Sequence, residues 1–166
     1  MPVSVGVSLV ITVSGVTFTL DRVRYDSDEA RQLITELQSE YVERYGGPDA
    51  TPVDPDEFES PNGAFFVGHR DGEFVGCAGL RRHSDTDVEV KRMFIRRPFR
   101  GRGYSRQLLE LVEDEARTLG FSRVLMETGM AQPEAVGLYE SSGYERIPGF
   151  GHYRDKANNR CYAKSL

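Results

Sequence analysis

The sequence is poor in the residues that build disulfide frameworks and metal sites. Its 166 residues include only two cysteines, Cys77 and Cys161, which lie far apart. Such a pair excludes a disulfide scaffold, and we expect both cysteines to be small, buried apolar residues of a cytoplasmic protein in a reducing compartment. The three histidines, His69, His83 and His152, are scattered and fit no metal-ligand spacing. We therefore predict a protein without a metal site.

An excess of positive charge is also missing. The chain has 26 acidic and 21 basic residues and a net charge of −5. Because nonspecific nucleic-acid binding requires the neutralisation of many phosphates, this balance argues against a nucleic-acid partner. A basic loop on such a chain suits a small anionic ligand better.

Long hydrophobic runs are absent as well. The apolar stretch VSVGVSLVITVSG (3–15) is too short to span a bilayer and has no charged leading region. We expect neither a signal peptide nor a membrane partner. Residues 1–15 are expected to form an N-terminal arm or a peripheral strand, and residues 16–166 a single domain, since no repeat or linker interrupts them.

What the sequence does contain is an alternation of strand and helix patterns. Asp71-Gly72 is a hairpin turn signal between two apolar runs, and Gly46-Gly47-Pro48 ends a helix that Asp26 or Ser27 can cap. The pattern predicts an α/β (α+β) fold, with a mixed sheet of about six to seven strands flanked by helices. Strands are expected over 16–24, 63–71, 73–83, 87–95, 121–128, 144–153 and 159–166, and helices over 26–47, 105–120 and 133–143.

The segment 48–62 differs in composition and reads as a loop. It contains five carboxylates: Asp49, Asp54, Asp56, Glu57 and Glu59. They are expected either to attract a cation or to form an ordinary solvated surface.

Residues 96–105, RRPFRGRGYS, place four arginines and two glycines between a strand and a helix. A helix N-terminus favours anions, and Gly101 and Gly103 allow the positive φ angles that turn backbone N–H groups inward. A P-loop would need Lys followed by Ser or Thr where Tyr104-Ser105 stand, and a Rossmann fingerprint would need glycine at Arg106. The R-x-x-G-x-G/A loop that binds the pyrophosphate of coenzyme A matches residues 100–105, except that Ser105 is the last residue. An exposed arginine-rich turn is the alternative interpretation of the loop alone.

Two segments resemble the GNAT superfamily of acyl-CoA N-acyltransferases. VEVKRMFIRRPFRGRGYSRQLLELVEDEA (88–116) is similar to the central strand, pyrophosphate loop and helix of that family. QPEAVGLYESSGYERI (132–147) is similar to its later N-x-x-A-x-x-L-Y-E-x-x-G-F/Y segment, with Gln132 where Asn is commoner. The resemblance covers about residues 16–166. It implies a splayed central sheet, acetyl-CoA as cofactor and, since dimers are common in the family, a homodimer.

The resemblance also implies which residues bind the cofactor. Backbone groups of Met93 and Ile95 would pair with the pantetheine arm, and the Met93 N–H would polarise the thioester carbonyl. The loop and Ser105 would hold the pyrophosphate, with Arg96 and Arg97 outside that grip or near the ribose phosphate. The expected set is Met93, Phe94, Ile95, Arg100, Gly101, Arg102, Gly103, Tyr104, Ser105, Gln132, Ala135 and Tyr139.

Two proton transfers require catalytic groups. Tyr139 matches the family tyrosine that protonates the leaving sulfur, and a core aromatic is its alternative interpretation. Glu89 stands where several relatives place a general base. Strand alternation is expected to put Glu89, Lys91, Met93 and Ile95 on one face. The alternative for Glu89 is an ion-pair partner of a neighbouring cation.

Glu127, at the end of its strand, is a second candidate base or a substrate-binding residue. The function expected from the resemblance is acetyl transfer from acetyl-CoA to a primary amine, of a small molecule, by direct attack. A non-catalytic acyl-CoA-binding or sensing domain and a protein (lysine or N-terminal) acetyltransferase are the alternatives. The acidic 49–59 stretch and RIPGFGHY (146–153) are expected to border the acceptor.

Overall fold

A computed structural model describes residues 8–13 and 15–166. The chain forms one eight-stranded sheet, in which the strands lie in the order β1-β2-β3-β4-β5-β6-β8-β7. The strands are β1 (Ser8–Val13), β2 (Val16–Arg22), β3 (Gly63–Arg70), β4 (Glu73–Arg82), β5 (Asp87–Ile95), β6 (Arg123–Gly129), β7 (Glu145–Ile147) and β8 (Asn159–Ser165). The helices are α1 (Asp28–Tyr45), α2 (Tyr104–Thr118) and α3 (Pro133–Ser141).

The predicted mixed sheet is confirmed, with one strand more than expected. β5 and β6 are parallel and every other neighbouring pair is antiparallel. The additional strand is β1, which forms a hairpin with β2 at one edge of the sheet. Part of the segment expected as an arm or peripheral strand is therefore a strand, while residues 1–7 and 14 lie outside the described residues.

Helices cover both faces of the sheet because each presents an apolar stripe. On one face, α2 packs Leu108, Leu109 and Val112 against the larger core cluster, which also includes Tyr139 of α3. On the other face, α1 packs Ala30, Leu33 and Leu37 against a smaller cluster. Burial of these stripes is the main stabilising contribution to such a layered fold.

The predicted boundaries of α1 are set by its caps. The Ser27 hydroxyl accepts a hydrogen bond from the Ala30 N–H at 3.3 Å. Gly46 ends the helix in the left-handed region, with φ 78°. The 48–62 loop that follows contains a short 3₁₀ turn, Pro55–Phe58, which Asp54 caps.

Within the described residues, no helix combines the length and the apolar character needed to cross a membrane. In the same part of the chain, no group of three or more His, Cys, Asp or Glu side chains is placed to hold a metal ion. Cys77 and Cys161 are both buried and free.

Candidate active site

The parallel strands β5 and β6 pair only at their beginning. They share three residue pairs, the last of which joins Glu89 and Leu125. β5 continues to Ile95 and β6 to Gly129. Beyond the last pair the strands separate, so the backbone groups that face the gap have no strand partner in the described chain. An extended ligand can pair with these groups as an additional strand would.

A β-bulge reverses the orientation of the second half of β5. Just after Lys91 the pairing with β4 slips by one residue, and Arg92 adopts a left-handed conformation with φ 56°. Side chains change face at every residue of a strand, so one extra residue reverses the alternation. Met93 and Ile95 consequently pack with the core cluster beneath α2. The expectation that they share a face with Glu89 and Lys91 is wrong.

The loop between β5 and α2 presents a run of unpaired backbone N–H groups. From Gly101 to Arg106, no N–H donates to an acceptor in the described residues. Gly101 (φ 73°) and Gly103 (φ 86°) both adopt left-handed conformations, and Gly103 directly precedes α2. Free N–H groups at the positive end of a helix dipole form an anion site. The geometry agrees with the predicted phosphate-binding role of this loop, which stays a prediction.

Three of the four arginines in RRPFRGRGYS point back to α1. Arg100 also donates to the Ile95 carbonyl at 2.8 Å. Arg102 is exposed and has no ion pair with the described residues. Carboxylates one or two turns apart on α1 therefore anchor the loop, which leaves its backbone N–H groups and Arg102 available to a ligand. The pairs are Arg96 with Glu36 at 2.8 Å, Arg97 with Glu43, and Arg100 with Glu40 at 2.7 Å.

The side chain of Tyr104 belongs to the core. It is 1% exposed and packs edge-on against Phe18 and Phe99. Its hydroxyl accepts a hydrogen bond from Arg70 at 2.7 Å. Only the Tyr104 backbone can meet a ligand in the loop. Ser105, where the sequence departs from the family motif, is half-buried in the first turn of α2.

Tyr139 is buried on the α2 side of the sheet. Its ring centroid lies 6.0 Å from that of Tyr144 and 6.1 Å from that of Tyr162. Burial raises the pKa of Tyr139 to about 12, so the phenol is protonated at neutral pH. Ala135 lies one turn earlier on the same helix and packs against the same core. Tyr139 is thus a core aromatic by its contacts, and its phenol carries a proton at neutral pH.

The start of α3 contacts the end of α1. Gln132 donates a hydrogen bond to the Tyr45 hydroxyl at 3.1 Å, and Arg44 pairs with Glu134 at 2.6 Å. A Cβ atom at Gly129 would lie 2.2 Å from the Tyr45 hydroxyl oxygen. The absence of a side chain at this position lets Tyr45 cover the end of β6. The end of α1 therefore forms a wall at the open end of the gap.

A cavity of about 390 Å³ lies beside this wall. Two residues predicted for the site, Glu127 and Gln132, line this cavity. The predicted catalytic residues Glu89 and Tyr139 do not line it. The lining consists of Tyr41, Tyr45, Gly47, Pro48, Asp49, Glu127, Thr128, Gly129, Gln132, Tyr153, Lys156, Asn158 and Asn159.

Sequence reasoning missed two of the three tyrosines that line this cavity, whereas the third, Tyr153, lies in the 146–153 segment expected to border the acceptor. Tyr41 and Tyr45 are one helical turn apart at the end of α1, directly before the Gly-Gly-Pro terminator. Aromatics repeated at a helix end were the available signal. Asn159 gives no signal of its own, because it reaches the site through its pairing with Gly129 across β6 and β8.

Glu89, Lys91 and Glu127 form a buried charged cluster on the α1 side of the sheet. The Lys91 Nζ lies 2.9 Å from Glu89 Oε1 and 3.8 Å from Glu127 Oε1. Glu89 also lies 3.7 Å from Arg81, and Glu127 accepts a hydrogen bond from the Asn159 amide at 3.3 Å. Glu89 therefore has the ion-pair partners that its alternative interpretation expected. Glu127 is the member of the cluster that meets the cavity.

The electrostatic environment of Glu127 suits a proton acceptor. Burial raises the pKa of its carboxyl above the ordinary range. Lys91 opposes this shift, while the charges of Glu89 and Asp49 add to it. A carboxylate with a raised pKa binds a proton more readily near neutral pH, as a general base must.

Asp49 is the one carboxylate of the 48–62 loop that lines the described cavity. It forms an ion pair with Arg92, which is itself held by a hydrogen bond to Tyr25 at 3.2 Å. Burial favours the neutral acid, but Arg92 and Thr51 together keep the pKa of Asp49 below its usual range. The remaining carboxylates are engaged elsewhere: Asp54 caps the 3₁₀ turn, Asp56 and Glu59 pair with Arg24, and Glu57 pairs with Arg81.

Two buried polar atoms have no hydrogen-bond partner in the described chain, Thr128 Oγ1 and Gln107 Oε1. Thr128 belongs to the part of β6 that has left β5 and lines the cavity. An unpaired hydroxyl there, the unpaired strand edges and the N–H groups of 101–106 fit a long ligand with an anionic end. Acetyl-CoA has that chemistry.

Comparison with known proteins places the chain in a family. A model of the acetyltransferase (GNAT) family matches residues 31–144. A protein of Azospirillum brasilense named IAA acetyltransferase is 36% identical over 127 residues, covering 76% of this chain and 83% of that protein.

Solved structures share the fold. A Klebsiella pneumoniae protein described as an acyl-CoA N-acyltransferase superposes with a TM-score of 0.75 at 25% identity, covering 90% of this chain and 97% of its own. A GNAT family acetyltransferase from Elizabethkingia anophelis, solved with acetyl-CoA bound, has a TM-score of 0.65 at 15% identity, with coverages of 90% and 98%. Since the family model spans more than half of the sequence, the chain belongs to the GNAT family and is an acetyltransferase that uses acetyl-CoA.

Proposed function

We propose that this acetyltransferase acetylates a primary amine of a small molecule held in the cavity beside Glu127. The observation that carries this proposal is the Glu127 carboxylate, whose burial raises its pKa and which lines a cavity of about 390 Å³ beside the end of β6. A volume of that order suits a small ligand, and tyrosine walls suit an apolar body. The name of the Azospirillum brasilense relative, IAA acetyltransferase, agrees with a small-molecule acceptor.

Glu127 is proposed as the base that prepares the amine. A primary amine is mostly ammonium at neutral pH and becomes nucleophilic only after it loses a proton. Glu127 first attracts the ammonium and then accepts that proton. Glu89, the base expected from sequence, is 5% exposed, is held by Lys91 at 2.9 Å, and lies behind Glu127 as seen from the cavity. It supports the site from that position.

Tyr139 is proposed as the acid. It lies on the α2 side of the sheet, whereas the Glu127 carboxylate lies on the α1 side, so the two groups approach the gap from opposite faces. The amine nitrogen bonds to the acetyl carbon while the carbon–sulfur bond breaks. Glu127 takes one proton from the ammonium, and Tyr139 gives its proton to the departing sulfur. The second nitrogen proton restores the phenol, through water.

Acetyl-CoA supplies the activated acetyl thioester, and residues of this chain are proposed to bind and orient it. The N–H groups from Gly101 to Arg106 bind the pyrophosphate, with help from the Arg102 side chain. The free edge of β5 around Met93 pairs with the pantetheine, and the Met93 N–H is proposed to polarise the thioester carbonyl.

A thiol-release assay with acetyl-CoA and a panel of acceptors tests the function. The panel contains phenethylamine, putrescine, alanine and a lysine-bearing peptide. We expect turnover with a free amine, and a fall in kcat of about 100-fold in Glu127→Gln and in Tyr139→Phe. Glu110→Gln, at an exposed position of α2, is the matched control and should keep full activity.

Two outcomes would contradict the proposal. Turnover confined to the peptide would make the enzyme a protein acetyltransferase. Full activity in Glu127→Gln, with loss in Glu89→Gln, would return the role of base to Glu89.

A further inference from the structure

We propose that Lys91 is a positioning residue for Glu127: its ammonium group, held in place by Glu89, orients the Glu127 carboxylate and controls its affinity for a proton. This inference rests on the proposed role of Glu127 as the base. It concerns a side chain that does not line the cavity and so acts through Glu127.

The strand register explains why this lysine reaches across the gap. Glu89 pairs with Leu125, so in parallel strands Lys91 is level with Glu127 two residues later. The two residues are not paired with each other, because β5 and β6 have already separated there; Lys91 pairs with Gly79 of β4 and Glu127 with Cys161 of β8. The side chains occupy the space instead, with the Lys91 Nζ 3.8 Å from Glu127 Oε1. The cluster therefore lies where the gap begins.

Because the cluster is buried, its charges interact strongly, and each one affects the proton affinity of the others. The side chains of Lys91, Glu89 and Glu127 are 8%, 6% and 9% exposed. Lysine is rarely buried to this extent without a partner, and two buried carboxylates this close compete for one cation. Arg81, 3.7 Å from Glu89, completes a set of two negative and two positive groups.

Lys91 is shared unequally between the two carboxylates. Its Nζ makes an ion-pair contact of 2.9 Å with Glu89 but stays 3.8 Å from Glu127. A direct bond to Glu127 would stabilise the carboxylate form and weaken it as a base. The absence of a cation would favour the protonated form of Glu127. The observed position, in which Glu89 retains the lysine, lies between these extremes.

Other groups also face Glu127, and the test must separate them from Lys91. They lie on β5, on β8 and in two loops, and none of them contributes a second cation in contact with its carboxylate. They are Glu89 on β5, Asn159 and Cys161 on β8, Asp49 in the loop after α1, and Tyr153 in the loop before β8.

The decisive experiment is a pH titration of the Glu127 carboxyl by NMR, with ¹³C-labelled glutamate in the full chain. The Glu127 signal is the one that Glu127→Gln removes. Lys91→Met should raise the pKa of Glu127 by about one unit, because an opposite charge is lost. Glu89→Gln should lower it, since a like charge is lost and Lys91 is free to move to Glu127. Lys91→Arg, which keeps the charge, should stay closer to the wild type than Lys91→Met.

Lys164→Met is the matched control. Lys164 pairs with buried Glu113 at 2.9 Å, on the other side of the molecule from the cavity lining. It should leave the Glu127 titration unchanged. If Lys91→Met does not fold, Glu89→Gln alone still tests the inference, because a merely structural role for the cluster predicts no downward shift.

A kinetic readout distinguishes this inference from the proposed function. The acid limb of kcat/KM against pH, with phenethylamine as probe, should move to higher pH in Lys91→Met and to lower pH in Glu89→Gln. An unchanged Glu127 titration in both variants, with turnover intact, overturns the role of Lys91 and leaves the proposed function standing. Titrations that shift as expected while the acid limb stays fixed support the coupling and overturn Glu127 as the base.

Discussion

Arg92 and Asp49 form an ion pair inside the protein, between the bulge of β5 and the loop that follows α1. The Arg92 side chain is only 4% exposed, and its backbone adopts φ 56°. The same extra residue that reverses the alternation of β5 thus directs a cation to the α1 side. There it holds Asp49, which lines the cavity.

Arg92→Met should destabilise the protein by about 3 kcal/mol, because removing one partner leaves the Asp49 charge buried and uncompensated. Urea unfolding measures this loss. Arg24→Met, which breaks exposed pairs with Asp26 and Asp56, is the matched control and should leave the unfolding midpoint almost unchanged. The pair has no structural importance if both variants behave alike. Asp49→Asn added to Arg92→Met should restore part of the stability.

Gly101→Ala and Gly103→Ala should weaken acetyl-CoA binding by about tenfold or more, because alanine disfavours the positive φ that turns the N–H groups of the loop inward. Isothermal titration with acetyl-CoA gives the dissociation constant. Gly120→Ala is the control: it has φ 88°, it lies at the other end of α2, and an added Cβ meets no atom within 4 Å there or at the loop glycines. All three variants should lose a similar stability of about 1 kcal/mol, and equal acetyl-CoA binding in all three would contradict the loop assignment.

Tyr139→Phe should lower kcat by about 100-fold without loss of stability. Burial raises the pKa of this phenol to about 12, so it stays protonated and the enzyme should show no alkaline loss of kcat from this group up to pH 10. Tyr144→Phe should have the opposite effects on stability and on kcat. Its buried hydroxyl donates to Glu113 at 3.0 Å, so its loss should cost about 1 to 3 kcal/mol of stability and spare the chemistry. A Tyr139→Phe enzyme with wild-type kcat would leave Tyr139 with a packing role only.

Glu127→Gln should become more stable relative to the wild type as the pH rises. The folded-state pKa of Glu127 is raised, so the stability that the protonated acid contributes is present below its unfolded-state pKa and is lost as the pH passes its folded-state pKa. Glutamine does not titrate and keeps its contribution. Urea unfolding at pH 5 and pH 8 measures the difference, with Glu110→Gln as the exposed control. A constant difference between Glu127→Gln and the wild type at both pH values would show that the carboxyl is not perturbed.

Much of the fold could be predicted because its signals are local. The apolar stripes of α1 and α2, the Asp71-Gly72 turn and the Gly46 terminator each lie within a few residues, and the structure confirms each of them. β1 was harder to assign, since an edge strand of small and β-branched residues has no distinctive period. The bulge after Lys91 was missed because one inserted residue leaves no mark in composition.

The candidate site likewise has one part that local sequence signals predict and one part that they do not. The N–H-rich loop before α2 follows from two glycines close together and from the helix that starts there, so the sequence alone predicted a loop whose backbone suits an anion. That the anion belongs to coenzyme A is implied by the family resemblance. Which carboxylate meets the cavity was decided only by the tertiary structure. Glu89 and Glu127 are equally acidic in sequence, but the separation of β5 from β6, the asymmetric position of Lys91 and the wall formed by Tyr45 place one of them behind a lysine and the other at the cavity. Such a difference arises from contacts between residues up to 87 positions apart, such as Tyr45 and Gln132, and no local pattern encodes it.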